Sequence, residues 1–254
     1  MTVFVDVIGR GPNLTLLHGW GLNGAVWNGV RDELSPRFTL HIIDLPGHGR
    51  SHGAPVTTLD ALVDAVANAM PARSHLLGWS LGGHTALALA HRYPARVEKL
   101  VTVCATPRFV AGDDWPHAKK PEVLADFAKR LSSNYLATIR NFLALQALNQ
   151  PQMRNVIRAL QEAVGAHGAP SITGLSACLE ILRASDIRAR VPAVTVPALV
   201  IQGDHDALTS TPAAQWLADH LPHSTYCLIE HAAHAPFLSH RDIFLDHLTA
   251  FLTT

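Results

Sequence analysis

The stretch "HLLGWSLGGHTALALAHRYP", His75 to Pro94, decides the fold. A short apolar run, "HLLG", leads into Gly78-Trp79-Ser80-Leu81-Gly82-Gly83, and an Ala/Leu-rich helical pattern follows. A serine between glycines at a strand-to-helix junction is the context of a nucleophile elbow, a turn tight enough to push the central side chain beyond the sheet. Gly78 and Gly82 leave room for such a turn and for close helix–strand approach. The hydroxyl then sits at a helix N-terminus, where backbone N–H groups favour negative charge. The competing reading is a helix-capping serine beside packing glycines. A Walker loop is excluded because no Gly-Lys-Ser/Thr follows, and the spacing is not G-x-G-x-x-G.

Outward from this junction, short apolar runs alternate with helical patterns. "TVFVDVI", "LTLLH", "FTLHIID", "SHLLG", "VEKLVTVCA", "VPALVIQGD" and "STYCLIE" read as strands. Several are nearly continuous Val/Leu/Ile, as expected where helices cover both faces of a sheet. "TLDALVDAVANAM", "LGGHTALALAHRY" and "TPAAQWLADHL" lie between them with helical periodicity. The alternation predicts an α/β fold with a mostly parallel sheet. From about Arg108 to Ser185 the rhythm changes to helical patterns without a convincing strand, among them "PEVLADFAKRLSS", "NYLATIRNFLALQAL" and "PQMRNVIRALQEAVG". We therefore expect a core of residues 1–108 and 186–254, with a helical cap of residues 109–185 inserted over one end of the sheet.

The composition narrows the class. At 254 residues, 48% hydrophobic and 16% charged, the chain can bury a sizeable core and is no disordered polymer. Twenty Lys and Arg balance twenty Asp and Glu, so no global field draws nucleic acid. The start, "MTVFVDVIGR", carries Asp6 and lacks a basic, then apolar, leader pattern, so no signal peptide is expected, and no apolar run is long enough to predict a membrane span. Cys104, Cys178 and Cys227 are odd in number and far apart, without metal-type spacing, which suits free buried thiols in a reducing cytoplasm.

A serine needs a base, and position must choose among 16 histidines. His234 in "EHAAHAPFLSH" follows the strand "STYCLIE" in a loop whose small neighbours, Ala232, Ala233 and Ala235, would let the imidazole come close. His231 and His240 are nearby competitors. A carboxylate should hold the imidazole tautomer, and "VPALVIQGDHDALTS" supplies Asp204 and Asp206 after a strand, although either could cap the helix that begins near Thr211. The order Ser80, Asp206, His234 fits one known triad arrangement. Two N–H donors must also meet the oxyanion: that of Leu81 directly after the serine, and that of Trp20 in "LTLLHGWGLN", where Gly19 lets the chain bend. "DLPGHGRS", Asp44 to Ser51, reads as a structural turn, since it has neither metal-ligand nor phosphate-cradle spacing.

Together, "LLHGWGLN", "DLPGHGRS", "GWSLGG" and "HAPF" resemble the α/β-hydrolase superfamily. Adding "FLALQ" (Phe142–Gln146), "LEIL" and "DDWP" makes nearly the whole chain similar to the carboxylesterase family of biotin synthesis. The resemblance implies Ser80, Asp206 and His234 as the triad and Trp20 and Leu81 as oxyanion and substrate contacts. It implies that Phe142, Leu143, Ala144, Leu145 and Gln146 line an acyl channel. The implied reaction removes methanol from the far end of a pimeloyl chain carried on acyl carrier protein, in the cytoplasm, by a monomer, with no metal or organic cofactor. Lys129 to Arg158 holds Lys129, Arg130, Arg140, Arg154 and Arg158 and no Asp or Glu, a basic face suited to an acidic carrier. Arg140, Arg154 and Arg158 are its candidate docking residues. Here the chain departs from the family, which carries basic residues at the positions of Ala137 and Asn141. Rival readings are a broad carboxylesterase or carbon–carbon bond hydrolase of the same fold, and a non-catalytic small-molecule receptor.

Overall fold

The computed structural model describes residues 3–51, 53, 55–168 and 170–254. Its centre is a seven-stranded sheet of β1 (Val5–Gly9), β2 (Asn13–Leu17), β3 (Thr39–Ile43), β4 (Ser74–Trp79), β5 (Val97–Val103), β6 (Ala198–Gly203) and β7 (Ser224–Ile229). The spatial order is β1-β3-β2-β4-β5-β6-β7. Only β1 runs antiparallel to its neighbour, β3. The other pairs are parallel, and β4 and β6 are buried along their whole length. Continuous apolar composition follows from this: a strand covered on both faces has no solvent side on which to alternate.

Helices α1 (Asn28–Leu34), α2 (Leu59–Ala69), α3 (Leu81–Arg92), α8 (Thr211–His220), α9 (Pro236–Ser239) and α10 (Arg241–Thr253) complete the α/β framework. In α2, Leu59, Leu62, Val63, Val66 and Ala67 form the buried stripe, and the Thr58 hydroxyl accepts a hydrogen bond from the Ala61 N–H as its N-cap. Four helices, α4 (Pro121–Ser133), α5 (Tyr135–Leu145), α6 (Met153–Ala166) and α7 (Ile172–Ala184), occupy the stretch between β5 and β6. They touch the framework closely: a Cβ added to Gly174 in α7 would lie 2.6 Å from the Gly47 Cα. At the N-terminal end of this stretch, residues 110–119 fold back through isolated pairings, Val110 with Lys119 and Gly112 with Trp115.

The topology selects where a site can form. From β2 the chain crosses to β3 on one side, and from β3 it returns to β4 on the other side of β2. The loops leaving β2 and β4 therefore diverge, and the crevice between their carboxyl ends is the switch point where open α/β sheets bind ligands. Gly19 and Trp20 follow β2, Ser80 follows β4, Asp206 follows β6 and His234 follows β7.

Candidate active site

Ser80 adopts φ 56° and ψ −116°, a backbone conformation that ordinary side chains avoid. Such strain costs about 1–3 kcal/mol and persists only where the surroundings enforce it. Here they do. The Ser80 N–H donates to the Val103 carbonyl (3.0 Å) and its own carbonyl accepts from His84 N–H (2.9 Å). A Cβ on Gly78 would lie 2.2 Å from the Gly82 carbonyl oxygen, and one on Gly82 would lie 2.3 Å from the Leu17 carbonyl oxygen. Only glycines permit this crossing of helix over strand. The Ser80 side chain makes no helix-capping hydrogen bond, so the capping reading fails.

His234 lies in the loop after β7 with its Nδ1 2.8 Å from Asp206 Oδ2, and both side chains are buried. Taking a carboxylate out of water is costly unless its lone pairs are matched. Asp206 accepts from five donors: His234 Nδ1, Gln202 Nε2 (3.1 Å), Thr209 Oγ1 (2.5 Å), and the N–H groups of Leu208 (2.7 Å) and Thr209 (3.1 Å). Burial pushes the carboxyl up, but His234 and these hydrogen bonds outweigh it and hold its pKa below the ordinary value. An ionised Asp206 keeps the proton on Nδ1 and leaves Nε2 as the basic nitrogen. That Nε2 is buried and hydrogen-bonded to nothing, the Ser80 hydroxyl included, among the described residues. Loose nucleophile–base contacts are common before substrate binds.

The histidine loop is held from three sides. Trp79 Nε1 donates to the His234 carbonyl (2.7 Å), and its ring lies 5.6 Å from the imidazole. The His234 N–H donates to the Gln146 carbonyl (3.1 Å), and the Ala233 N–H donates to Gln150 Oε1 (3.2 Å). Both of these acceptors belong to the turn between α5 and α6. Cys104 lies close behind, its Sγ 3.8 Å from the Ala233 carbonyl. Burial pushes that thiol well above its ordinary pKa, so it stays protonated and is no rival nucleophile.

On the β2 side, a Cβ on Gly19 would lie 3.3 Å from Ser80 Cβ, so the Gly19–Trp20 peptide runs beside the serine. His18 Nδ1 meets the Gly19 carbonyl at 2.8 Å, while its Nε2 accepts from the Leu45 N–H at 2.9 Å. These bonds fix one neutral tautomer, and burial lowers the His18 pKa in agreement. Because a trans peptide sets C=O and N–H on opposite sides, holding this carbonyl also fixes the direction of the Trp20 N–H. The Trp20 indole donates to the Leu175 carbonyl (2.8 Å) and packs edge-on against Phe142 and Phe127.

Ser80 opens into a cavity of about 340 Å³, lined among others by Trp20, Phe127, Phe142, Leu145, Leu179 and Leu208. Of the residues expected to line a channel, Phe142 and Leu145 do so. Leu143 is buried in the core, and Ala144 and Gln146 are not among the lining residues. Gln146 instead packs beneath the His234 loop, with both side-chain amide atoms buried and unpaired. Most of the wall escaped the sequence reading, including Lys119, the only charged side chain lining it among the described residues. The signal for Lys119, "KKP" just before α4, lay outside the basic segment considered.

The other expectations also find their places. Ser210, not an aspartate, caps α8 by accepting from the Ala213 N–H (3.3 Å), which frees Asp206 for His234. Asp204 faces His205, and His240 pairs with Ser239 through its Nδ1 (2.9 Å), so neither joins the buried pair. Arg140, Arg154 and Arg158 are exposed on α5 and α6, and none has a carboxylate partner among the described residues.

A strained serine at the switch point and a buried histidine–carboxylate pair, all at the carboxyl edge of a mostly parallel sheet, define an α/β hydrolase. A sequence profile described as alpha/beta hydrolase fold matches residues 12–241. The esterase of Exiguobacterium antarcticum superposes with a TM-score of 0.90 at 21% identity, covering 99% of this chain and 96% of that one. Two relatives are both described as pimeloyl-[acyl-carrier protein] methyl ester esterase. That of Nitrosomonas europaea is 39% identical over 96% of this chain and 97% of its own length. That of Pectobacterium atrosepticum is 44% identical over 94% and 93%. The chain belongs to the pimeloyl-[acyl-carrier protein] methyl ester esterase family.

Proposed function

We infer that this chain is a serine carboxylesterase that hydrolyses the methyl ester of a pimeloyl chain carried on acyl carrier protein, releasing methanol and the free carboxylate for biotin synthesis. The observation that carries the chemistry is the buried His234–Asp206 pair, 2.8 Å apart and packed on Trp79, the residue before a serine held in a strained turn at an apolar cavity.

In the first half-reaction Ser80 Oγ attacks the ester carbonyl carbon and His234 Nε2 takes its proton. The N–H groups of Trp20 and Leu81 stabilise the oxyanion, each worth about 3 kcal/mol. His234 then protonates the departing methoxide, leaving an acyl group on Ser80. Water, deprotonated by the same imidazole, attacks the acyl carbon and releases the acid. Asp206 remains ionised throughout and stabilises the imidazolium.

In this reading residues 109–185 act as a cap. Phe142 and Leu145 contact the acyl chain, while Leu143, Ala144 and Gln146 hold those walls and the histidine loop in place. Arg140, Arg154 and Arg158 receive the acidic carrier, a role supported by their exposure and freedom from acidic partners among the described residues. The protein acts as a monomer in the cytoplasm. The three cysteines, buried and unpaired, support a reducing compartment. None of the described helices is long and apolar enough to cross a membrane.

The test is methanol release from methyl pimeloyl-carrier by the wild type and Ser80→Ala. Wild type should turn over the carrier-linked ester faster than free short methyl esters, and Ser80→Ala should turn over neither. Equal rates on free esters would make the chain a broad carboxylesterase, and an active Ser80→Ala would end the serine mechanism.

A further inference from the structure

A second group of side chains stands beside the triad and takes no part in it. Asp204 and His205 follow β6, and His231 follows β7. One ligand atom from each lies within 4.8 Å of the other two. Asp204 Oδ1 and His205 Nε2 are 4.0 Å apart, and the rings of His205 and His231 meet edge-on at 5.5 Å. The loops that carry them are already tied by main chain. The Asp204 N–H donates to the Ile229 carbonyl (3.3 Å) and the His205 N–H to the Ala232 carbonyl (2.9 Å).

Two further observations say what these donors suit. His205 Nδ1 is 2.7 Å from the Asn149 carbonyl, and a carbonyl only accepts, so this nitrogen carries the proton. In the neutral ring this bond leaves Nε2 as the lone pair, the arrangement by which metal-binding histidines are oriented from behind. Asp204 Oδ1 is shielded from solvent and has no hydrogen-bond partner. A shielded carboxylate oxygen without a donor is costly in a protein, and a cation would satisfy it. No Lys or Arg does so among the described residues.

From this we propose that Asp204, His205 and His231 form a binding site for a divalent transition-metal ion of the zinc type. Two imidazoles and one carboxylate favour Zn²⁺ over Mg²⁺ or Ca²⁺, which prefer all-oxygen shells. With bonds of about 2.0–2.2 Å, a tetrahedral site brings its ligand atoms to roughly 3.3 Å from one another. The present spacing is wider, and modest rotations of the Asp204 and His231 side chains close it, with water as the fourth ligand. Hydrolysis at Ser80 needs no metal. The ion's effect is mechanical: it staples the loop bearing Asp206 to the loop bearing His234, and through His205 and Asn149 it engages the α5–α6 turn.

Titration of chelator-treated full-length protein with ZnCl₂ near neutral pH, followed by calorimetry and thermal unfolding, tests the assignment. One ion should bind per chain, with Tm rising by roughly 5 °C at saturation. Affinity should fall roughly tenfold or more in His205→Ala and in His231→Ala and be unchanged in His220→Ala, a histidine control on α8. His231→Ala should keep wild-type esterase activity in the absence of metal, and wild-type far-ultraviolet circular dichroism in both variants reports that they fold. Co²⁺ separates this site from the interior group of Cys104, Asp206 and His234, whose ligand atoms also lie within 4.8 Å of one another. The proposed site gives only the weak visible bands of nitrogen and oxygen ligation. A thiolate-to-cobalt band, absence of binding, or equal affinity in wild type and both variants would each overturn the proposal.

Discussion

Ser80 is held at φ 56° and ψ −116°, and in the proposed mechanism that strained turn presents its hydroxyl to the ester. Ser80→Ala should fold normally and lose hydrolysis to the level left by binding and oxyanion donors alone. Asp206→Asn keeps the shape of the acceptor but withdraws the charge that fixes the His234 tautomer, and its kcat should fall by about 10⁴-fold. Steady-state kinetics on a soluble methyl ester, with circular dichroism as a fold control, check both. Other buried histidines act on stability instead. Burial lowers His84 to about 4 and His48 to about 3. Below the ordinary value near 6.5 the unfolded chain binds protons that the folded chain refuses. Each therefore contributes stability that is full above 6.5 and declines as pH falls toward its folded pKa, by about 1.4 kcal/mol per unit. Denaturant midpoints should drop below pH 6.5, and His84→Leu should flatten part of that slope.

At the scale of elements, the elbow depends on two backbones meeting where no Cβ fits. Gly82→Ala puts a methyl 2.3 Å from the Leu17 carbonyl oxygen and must push α3 away from β2. It should destabilise by about 1–3 kcal/mol and disturb the Leu81 N–H, so urea unfolding and kcat should fall together. The histidine loop leans on the α5–α6 turn in a comparable way. Gln150→Leu removes the acceptor of the buried Ala233 N–H, and kcat should fall roughly tenfold with KM little changed, while Gln150→Glu keeps an acceptor and most of the rate. Much of this scale was legible in the sequence. All seven strands were, the inner ones because a doubly covered parallel strand must be a continuous apolar run and the partly exposed edge strands β1 and β7 through their Val, Ile, Leu and Tyr content. So was the elbow, because glycine, serine and glycine at a strand end leave few alternatives. The supports were not. Gln150 reads as one polar residue in a turn, and its partner is 83 residues away. Lys119 enters the cavity because residues 110–119 fold back on themselves, which no periodicity records. "FLALQ" read as five channel residues, but a helix turns successive side chains about 100° apart, so within α5 only Phe142 and Leu145, three apart, share the cavity face, and Gln146 lies past the helix end.

For the molecule as a whole, a neutral chain carries an uneven surface. Residues 129–158 have no acid, and Arg140, Arg154 and Arg158 point their charge outward. An acidic carrier should be steered to this face, so kcat/KM for methyl pimeloyl-carrier should fall as salt rises through the range that screens charges about 8–10 Å apart. A free methyl ester should show little such dependence. Replacing the three arginines by glutamate should depress only the carrier-linked reaction, which stopped-flow methanol release at several ionic strengths would read. The carrier surface and the triad are separable in this account, and the triad is its centre. Intact-mass analysis after brief exposure to a fluorophosphonate measures it most directly. One adduct per chain, mapped to Ser80, lost in Ser80→Ala and slowed at least a hundredfold in His234→Ala, is the result expected of a general base acting on that hydroxyl. An adduct on another residue, or equal labelling with and without the imidazole, would contradict it.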